Sequence, residues 1–382
     1  MKAFITDIAG YLPNDPIDND NIEEVLGMVA GKPSRSKKIV LRSNKITTRY
    51  YAIDPATGNY THTNAQLAAE AVRALMAKSG ASLEDLTCLC VGTSSSDLNI
   101  PSHASMVHGE LQSPPCEIHS AHGVCTASMS ALKHAALSVS MGYHSSAVSV
   151  ASEFPSRYMR GKNFEPEIDA MVESLKTKPE LAFEKDFLRW MLSDGAGALM
   201  IQSQPKSEGL SLAIDWIDYV SYAGQMPVCM YSGGNTQDDG SMKSWASYDD
   251  PLDIIKKSVN AIKQDTRLLN EQIMSLTVGQ GLGASIKKHN LKVDEIDWYL
   301  PHYSSDYFRS RVDAEMEKIG FKIPDNRWFT NLYDVGNVGS ASMFLILDEL
   351  FDSGKLKKGD RLLCYVPESA RFSVSYMHLT VV

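Results

Sequence analysis

Two stretches of this chain, about 210 residues apart, run through the same order of parts. Residues 82–97 (SLEDLTCLCVGTSSSD) and 292–306 (KVDEIDWYLPHYSSD) each place an acidic approach before a short apolar run, then close on a serine-rich loop ending in aspartate. Further along, Thr126-Ala127-Ser128-Met129 opens a small-residue helical segment that ends at Gly142 and leads into an apolar run at 146–151. Ser340-Ala341-Ser342-Met343 opens another, which ends at Gly354 and leads into 361–366. The offset stays at roughly 210 to 214 positions while the order of parts is kept, which duplication explains better than chance likeness of short motifs. A duplicated chain is restricted to two similar halves that share their packing. The polar run Gln202-Ser203-Gln204-Pro205-Lys206-Ser207 reads as the linker, giving halves at 1–205 and 206–382.

The runs at 87–92, 146–151, 298–300 and 361–366 have the length and β-branched content of buried strands, and 65–76 (AQLAAEAVRALM) has the spacing of an amphipathic helix. Strands alternating with helices predict an α/β layered fold. With 382 residues, 43% of them apolar and 22% charged, the chain has enough material for a large core, and disorder or a fibrous form is excluded. A net charge of −9 without a lysine or arginine block argues against a sequence-independent grip on nucleic acid or anionic lipid. No run approaches the roughly 18 apolar residues of a membrane span. The start, which meets Asp7 early, lacks a signal-peptide core, so a cytoplasmic location is expected. Cys88, Cys90, Cys116, Cys125, Cys229 and Cys364 show no CxxC spacing, which predicts free thiols rather than disulfides or a zinc site.

The run His122-Gly123-Val124-Cys125-Thr126-Ala127-Ser128 puts a cysteine at or just before a helix N-terminus. Unpaired N–H groups and the helix dipole favour thiolate there, the form that attacks. A cysteine is also commonly an inert buried hydrophobe, so Cys125 needs partners to be read as a nucleophile. Leu300-Pro301-His302-Tyr303 places a histidine just beyond a strand, and Gly336-Asn337-Val338-Gly339 places an asparagine in a glycine-bounded turn before a helix. Strand ends and strand-to-helix turns are where α/β sheets present reactive groups. Glu153, at the exit of the run 146–151, is either a general base or a solvated loop carboxylate. Arg309, seven residues after His302, shares a face with it if 304–312 is helical; it either holds a carboxylate or carbonyl by its fork, or pairs with Asp306 or Asp313 at the surface.

HGVCTASMSAL, PHYSS and GNVGSAS resemble the cysteine, histidine and asparagine motifs of the thiolase superfamily, in its β-ketoacyl-acyl carrier protein synthase III branch. Ser193-Asp194-Gly195-Ala196-Gly197-Ala198 and Gly92-Thr93-Ser94-Ser95 add to the likeness, which extends over essentially the whole chain. It implies the thiolase fold: duplicated αβαβα layered halves with mixed five-stranded sheets. It also implies that Cys125 is acylated, that His302 and Asn337 stabilise the enolate and thioester oxygens, and that no cofactor or metal takes part. Acyl thioesters on acyl carrier protein or coenzyme A are the expected partners, and a homodimer the expected assembly. Arg42, Arg49 and Arg157 are candidate cations on the phosphopantetheine side.

The chain departs from that branch at Pro367-Glu368-Ser369-Ala370-Arg371-Phe372, where a glycine-rich loop is expected to donate a backbone N–H to the oxyanion. Ser369 and Ala370 are the candidates to replace it. Residues 157–186 are longer than expected and charged, which suggests a lid or dimer-edge insertion. Together with Gly31-Lys32-Pro33-Ser34-Arg35, Arg49-Tyr50-Tyr51 and Thr61-His62-Thr63-Asn64-Ala65-Gln66-Leu67, these features resemble the ketosynthase-cyclases of bacterial dialkylresorcinol and stilbene-type pathways. That likeness implies condensation of two acyl thioesters, at least one a β-ketoacyl unit, and closure to a cyclohexane-1,3-dione. A decarboxylating synthase III making a linear chain and a non-catalytic partner subunit are the competing expectations.

Overall fold

The computed structural model describes residues 2–29, 31–164, 187–237 and 239–382. Most of the charged stretch 157–186, expected to be a lid or dimer-edge insertion, lies outside the described residues. In the first half the apolar runs form β1 (Phe4–Tyr11), β2 (Cys88–Thr93), β3 (Glu117–His122), β4 (Ser146–Glu153) and β5 (Gly195–Gln202). The second half supplies β6 (Leu212–Ser221), β7 (Trp298–Pro301), β8 (Arg361–Glu368) and β9 (Ser373–Val381). β2 and β4 are covered on both faces, which is why they read as continuous apolar runs rather than as alternation.

These strands make one mixed sheet in the order β7-β8-β9-β6-β1-β5-β4-β2-β3. β2 runs parallel to β3 and β4, and β7 parallel to β8. The halves meet where β1 pairs with β6 through Phe4–Ala213 and Ile5–Leu212. On either side of that seam the strands follow in corresponding order, as duplication requires. The first half has its five strands; in the second, the counterpart of β3 is reduced to a parallel bridge between Tyr299 and Trp328. The expected pair of five-stranded sheets is therefore one continuous sheet of five and four. We propose the division of the chain near residue 205, between β5 and β6.

Four helices bear on the site: α1 (Asn64–Ser79), α2 (Ala127–Ser140), α3 (Arg309–Lys318) and α4 (Ser342–Asp352). α2 and α4 open from equivalent positions of the repeat and share one core. Met129, Leu132 and Ala135 of α2 pack with Met343, Phe344 and Ile346 of α4 and with residues of β1, β4, β5, β8 and β9. The small residues of α2 allow close approach to the sheet. A Cβ added at Gly92 on β2 would lie 2.7 Å from backbone atoms of Ala127 and Ser128, so the sheet lies flush against the first turn of the helix that follows Cys125.

The run 61–67 has a structural explanation. Thr63 caps α1, accepting from Gln66 N–H at 3.2 Å, while the Gln66 side chain accepts from Thr63 N–H at 2.9 Å. Among the described residues, no helix is long and apolar enough to cross a membrane.

Candidate active site

A cavity of about 110 Å³ opens at the ends of β2, β4, β7 and β8. Cys125 and Glu153 come to its wall from the first half, and His302, Asn337 and Ser369 from the second. Leu188, Met191, Leu269, Ile273, Phe308 and Val312 supply an apolar lining. The spacing of 212 residues between Cys125 and Asn337 thus becomes one site, because the repeat sets both at the entrance to a central helix.

Cys125 lies two residues ahead of α2, with Thr126 at the N-cap. The expectation that this helix end favours a thiolate is reversed. Burial first, then the carboxylates of Glu368 and Glu153, push the Cys125 thiol well above its ordinary value. The second of these causes is visible in the backbone. Glu368 Oε2 accepts from Val124 N–H at 3.0 Å, Thr126 N–H at 3.1 Å and the Thr126 hydroxyl at 2.6 Å, so the anion position at the helix start is already filled.

His302 follows β7, and its N–H donates to the Tyr365 carbonyl at 2.8 Å. The ring is buried, and desolvation pulls its pKa down from 6.5 to about 4. It is therefore a neutral imidazole near physiological pH, able to donate from one nitrogen and accept at the other. Asn337 is fixed from both directions: its N–H donates to Met191 O, and its carbonyl accepts from Ser193 N–H, each at 2.9 Å. Its Oδ1 accepts from Gly339 N–H at 2.9 Å, which leaves the amide NH₂ as the donor for the cavity.

These pKa values have a consequence for stability. His302 and the buried His103 both sit at about 4 when folded, against 6.5 for an ordinary histidine. Between those limits the unfolded chain binds protons at these two positions that the folded chain refuses, so the histidine contribution to stability is present at neutral pH and lost on acidification, while buried Asp194, raised to about 7 by desolvation, contributes in the opposite direction. The loss amounts to roughly 3 kcal/mol per histidine by pH 4. Thermal melts at pH 7 and pH 5 should show that His302→Gln loses less melting temperature on acidification than the unmodified chain does, because the variant lacks one group that must take up a proton on unfolding.

Glu153 is the last residue of β4, two residues beyond the apolar run that marked the strand, and it is buried rather than solvated. Its Oε1 accepts from Ser94 N–H at 2.9 Å, Ser340 N–H at 3.2 Å and the Ser340 hydroxyl at 2.6 Å. Its Oε2 accepts from the hydroxyls of Ser94 at 2.6 Å and Ser95 at 2.7 Å. The serine-rich loop after β2 is thus the cradle of this carboxylate. Gly339, at φ +53°, brings its backbone against the same side chain; a Cβ there would lie 3.1 Å from Glu153 Cγ.

The arginines fall elsewhere. Arg309 opens α3, stacks 4.7 Å over the Trp328 ring and donates to the Tyr303 hydroxyl at 3.3 Å and Asp325 at 3.5 Å. It does not line the cavity, because residues 306–308 form a separate 3₁₀ turn and His302 precedes it, so the two share no helical face. Arg49 is fully buried and donates to Asn19 Oδ1 and the Trp190 carbonyl, which removes it as a cation for a carrier. Arg157 binds Asp97 at 2.9 Å and the carbonyls of Ser95 and Ser96, holding the serine loop from behind. Arg42 is exposed on the helix Lys37–Asn44, away from the cavity lining.

Ser369 lines the cavity, and its hydroxyl accepts from Gln264 Nε2 at 2.9 Å. Ala370 stands off it, its carbonyl accepting from Cys229 and Met230 N–H groups at 2.8 and 3.1 Å. The six cysteines are free thiols. Among the described residues, one group has metal-ligand spacing, Cys88 with Glu117 and His144, and it lies outside the cavity lining. Glu368 is visible in sequence only as part of the departing stretch 367–372, and nothing local marks Ser94 and Ser340 as donors to Glu153. A glutamate ending the strand 361–366 just as one ends 146–151 was the available signal.

A sheet with two central helices opening at one cavity, with a cysteine before one and an asparagine before the other, is the arrangement of the thiolase fold. Comparison with known proteins agrees. The family model for the C-terminal part of 3-oxoacyl-acyl-carrier-protein synthase III matches residues 286–366. The β-ketoacyl-acyl-carrier-protein synthase III of Clostridium perfringens strain ATCC 13124 is 22% identical over 364 residues, covering 92% of this chain and 91% of the relative. The second such synthase of Bacillus anthracis is 23% identical, covering 95% and 94%.

Solved structures match over nearly their full length. A tetronic acid condensing enzyme is 18% identical, with a TM-score of 0.74 and 99% of each chain covered. Xanthomonas campestris OleA, crystallised with lauric acid and lauroyl-CoA, is 19% identical, with a TM-score of 0.72, covering all of this chain and 99% of that one. At such identities the structures establish the fold. Residues 286–366 thus match the synthase III family, the whole chain is similar to synthase III relatives along nearly its full length, and the solved structures establish the thiolase fold.

Proposed function

We propose that this enzyme condenses two acyl thioesters, at least one of them a β-ketoacyl unit, and closes the product to a cyclohexane-1,3-dione. The observation that carries the condensing part is the convergence of Cys125, His302 and Asn337 on one apolar cavity. The Cys125 sulfur bonds to the acyl carbon of the first thioester, the carrier's carbon–sulfur bond breaks, and the thiol proton leaves with the carrier thiol. A carbanion of the second unit then attacks the acyl carbon, and Cys125 is released. The neutral ring of His302 and the amide NH₂ of Asn337 face the space where both oxygens gain charge, an arrangement worth several kcal/mol in the transition state.

The ring-closing part rests on the flanking sequence and on what the cavity lacks. The Arg309 fork is not available to anchor the second unit, and Glu153 has donors on both oxygens. A β-ketoacyl unit suits such a site, because a carbon between two carbonyls gives up its proton far more readily than a simple acyl chain. The neutral imidazole of His302 has a nitrogen free to receive that proton. A second carbon–carbon bond would close the ring with loss of the remaining carrier thiol.

The purified protein given a β-ketoacyl thioester and a second acyl thioester should form a ring-containing product, detected by mass spectrometry, without releasing carbon dioxide from a malonyl thioester. Stoichiometric carbon dioxide release with only linear β-ketoacyl product would assign it instead to the decarboxylating synthases.

A further inference from the structure

Two carboxylates close two of the four strands that lead to the cavity, and the duplication relates them. Glu153 is the eighth and last residue of β4, and Glu368 the eighth and last residue of β8. Each reaches out of its own half. Glu153 accepts from the N–H and hydroxyl of Ser340, just after Asn337, and Glu368 accepts from the N–H and hydroxyl of Thr126, directly after Cys125. Thr126 and Ser340 are themselves equivalent in the repeat, about 214 residues apart. Each strand end therefore holds the loop that carries the other half's polar cavity residue.

The two contacts differ in chemical consequence. Glu153 steadies a loop bearing a neutral amide, but Glu368 steadies the loop bearing the nucleophile. Because Val124 N–H also donates to Glu368 Oε2, the N–H groups on both sides of Cys125 point at a carboxylate. Those groups and the dipole of the fourteen-residue α2 are what would otherwise stabilise a thiolate. Pro367 and Ser369 line the cavity and Glu368 does not, so it acts from behind the loop rather than on the acyl group.

The other ionisable groups around the thiol are Glu153 on β4, the neutral His302, and Tyr303 and Tyr365 on the cavity wall. Tyr219 on β6 stands behind, its hydroxyl 3.0 Å from Thr126 Oγ1. Among the described residues, no lysine or arginine forms an ion pair with Glu368 to offset its charge.

We propose that Glu368 is a positioning residue that occupies the anion position at the start of α2, so that the resting enzyme keeps Cys125 as a thiol. The inference rests on reading Cys125 as the nucleophile. The free enzyme would then resist stray electrophiles, and the thiol proton would leave only with the departing carrier thiol.

The test is the pH profile of iodoacetamide alkylation at Cys125, followed on its own peptide by mass spectrometry in the full-length protein. In the unmodified enzyme the rate should rise on the alkaline side of an ordinary cysteine. Glu368→Gln should move the profile to lower pH and speed alkylation near neutrality by roughly tenfold. The variant should fold, because all three donors meet Oε2 and an amide oxygen can take its place. A merely structural role would lower the melting temperature and leave the profile in place. A folded Glu368→Gln protein with an unshifted profile overturns the proposal. So does an unmodified enzyme alkylated as readily at neutral pH as a free thiol, a result that needs no variant. Failure of an acyl thioester to label Cys125 would instead count against the condensing reading and leave the alkylation profile readable.

Discussion

Cys125→Ala should abolish both the covalent acyl adduct and turnover, with a loss of roughly 10⁴-fold or more. The residue sits at the cavity wall where the first turn of α2 begins, and removing one sulfur there leaves no other thiol in the lining. Incubation with an acyl thioester followed by intact-mass measurement reports the first step alone: the unmodified chain gains the acyl mass and Cys125→Ala gains nothing. His302→Ala and Asn337→Ala should still take the acyl mass yet lose condensation by about 10²- to 10³-fold, because their donors face the oxyanion rather than the sulfur. That split separates nucleophile from oxyanion donors within one assay. An alanine variant at Cys125 that keeps turning over would remove the basis for a cysteine acyl-enzyme. An unmodified chain that never acquires an acyl group would favour a non-catalytic partner subunit.

The parts of the site legible in sequence were those fixed by local geometry. Cys125 and Asn337 stand at strand-to-helix turns, and such turns announce themselves through glycine, small residues and the change of period from strand to helix. His302 was legible because β7 is short and apolar and ends at Pro301. The duplication was legible because each copy keeps its order of parts, and equivalent places in the two copies are enough to bring Cys125 and Asn337 together.

What failed to read was side-chain direction. Arg309 was placed by counting along an assumed helix, but the helix begins at Arg309 itself, and its guanidinium lies over the Trp328 ring and donates to the Tyr303 hydroxyl. Arg49 looks like a surface cation in sequence, yet its charge is buried against Asn19 and the Trp190 carbonyl, contacts separated by up to about 140 residues. Glu368 illustrates the same limit. Its strand could be read, but which face its side chain takes, and that two N–H groups wait there, depends on packing between the halves.

Glu153→Ala and Glu153→Gln should behave very differently, and the pattern of donors says why. Oε1 receives both backbone N–H groups, from Ser94 and Ser340, whereas Oε2 receives only the hydroxyls of Ser94 and Ser95. Backbone donors cannot turn away, so alanine strands two buried N–H groups, at a cost of roughly 2 to 6 kcal/mol. Melting temperature and activity should fall together, since the same carboxylate ties the serine loop of β2 to the turn after Asn337. Glutamine can place its carbonyl oxygen where Oε1 lies and offer its NH₂ to serine oxygens that rotate to accept. Its melting temperature should stay near that of the unmodified enzyme, and acylation and condensation should each remain within about fivefold. A general base predicts another outcome for the same folded variant: normal acylation of Cys125 with condensation reduced by about 10²-fold or more, because an amide cannot take the proton. Acyl-adduct mass, product yield and a thermal melt on one glutamine variant therefore decide whether this carboxylate moves a proton or holds the two halves of the site together.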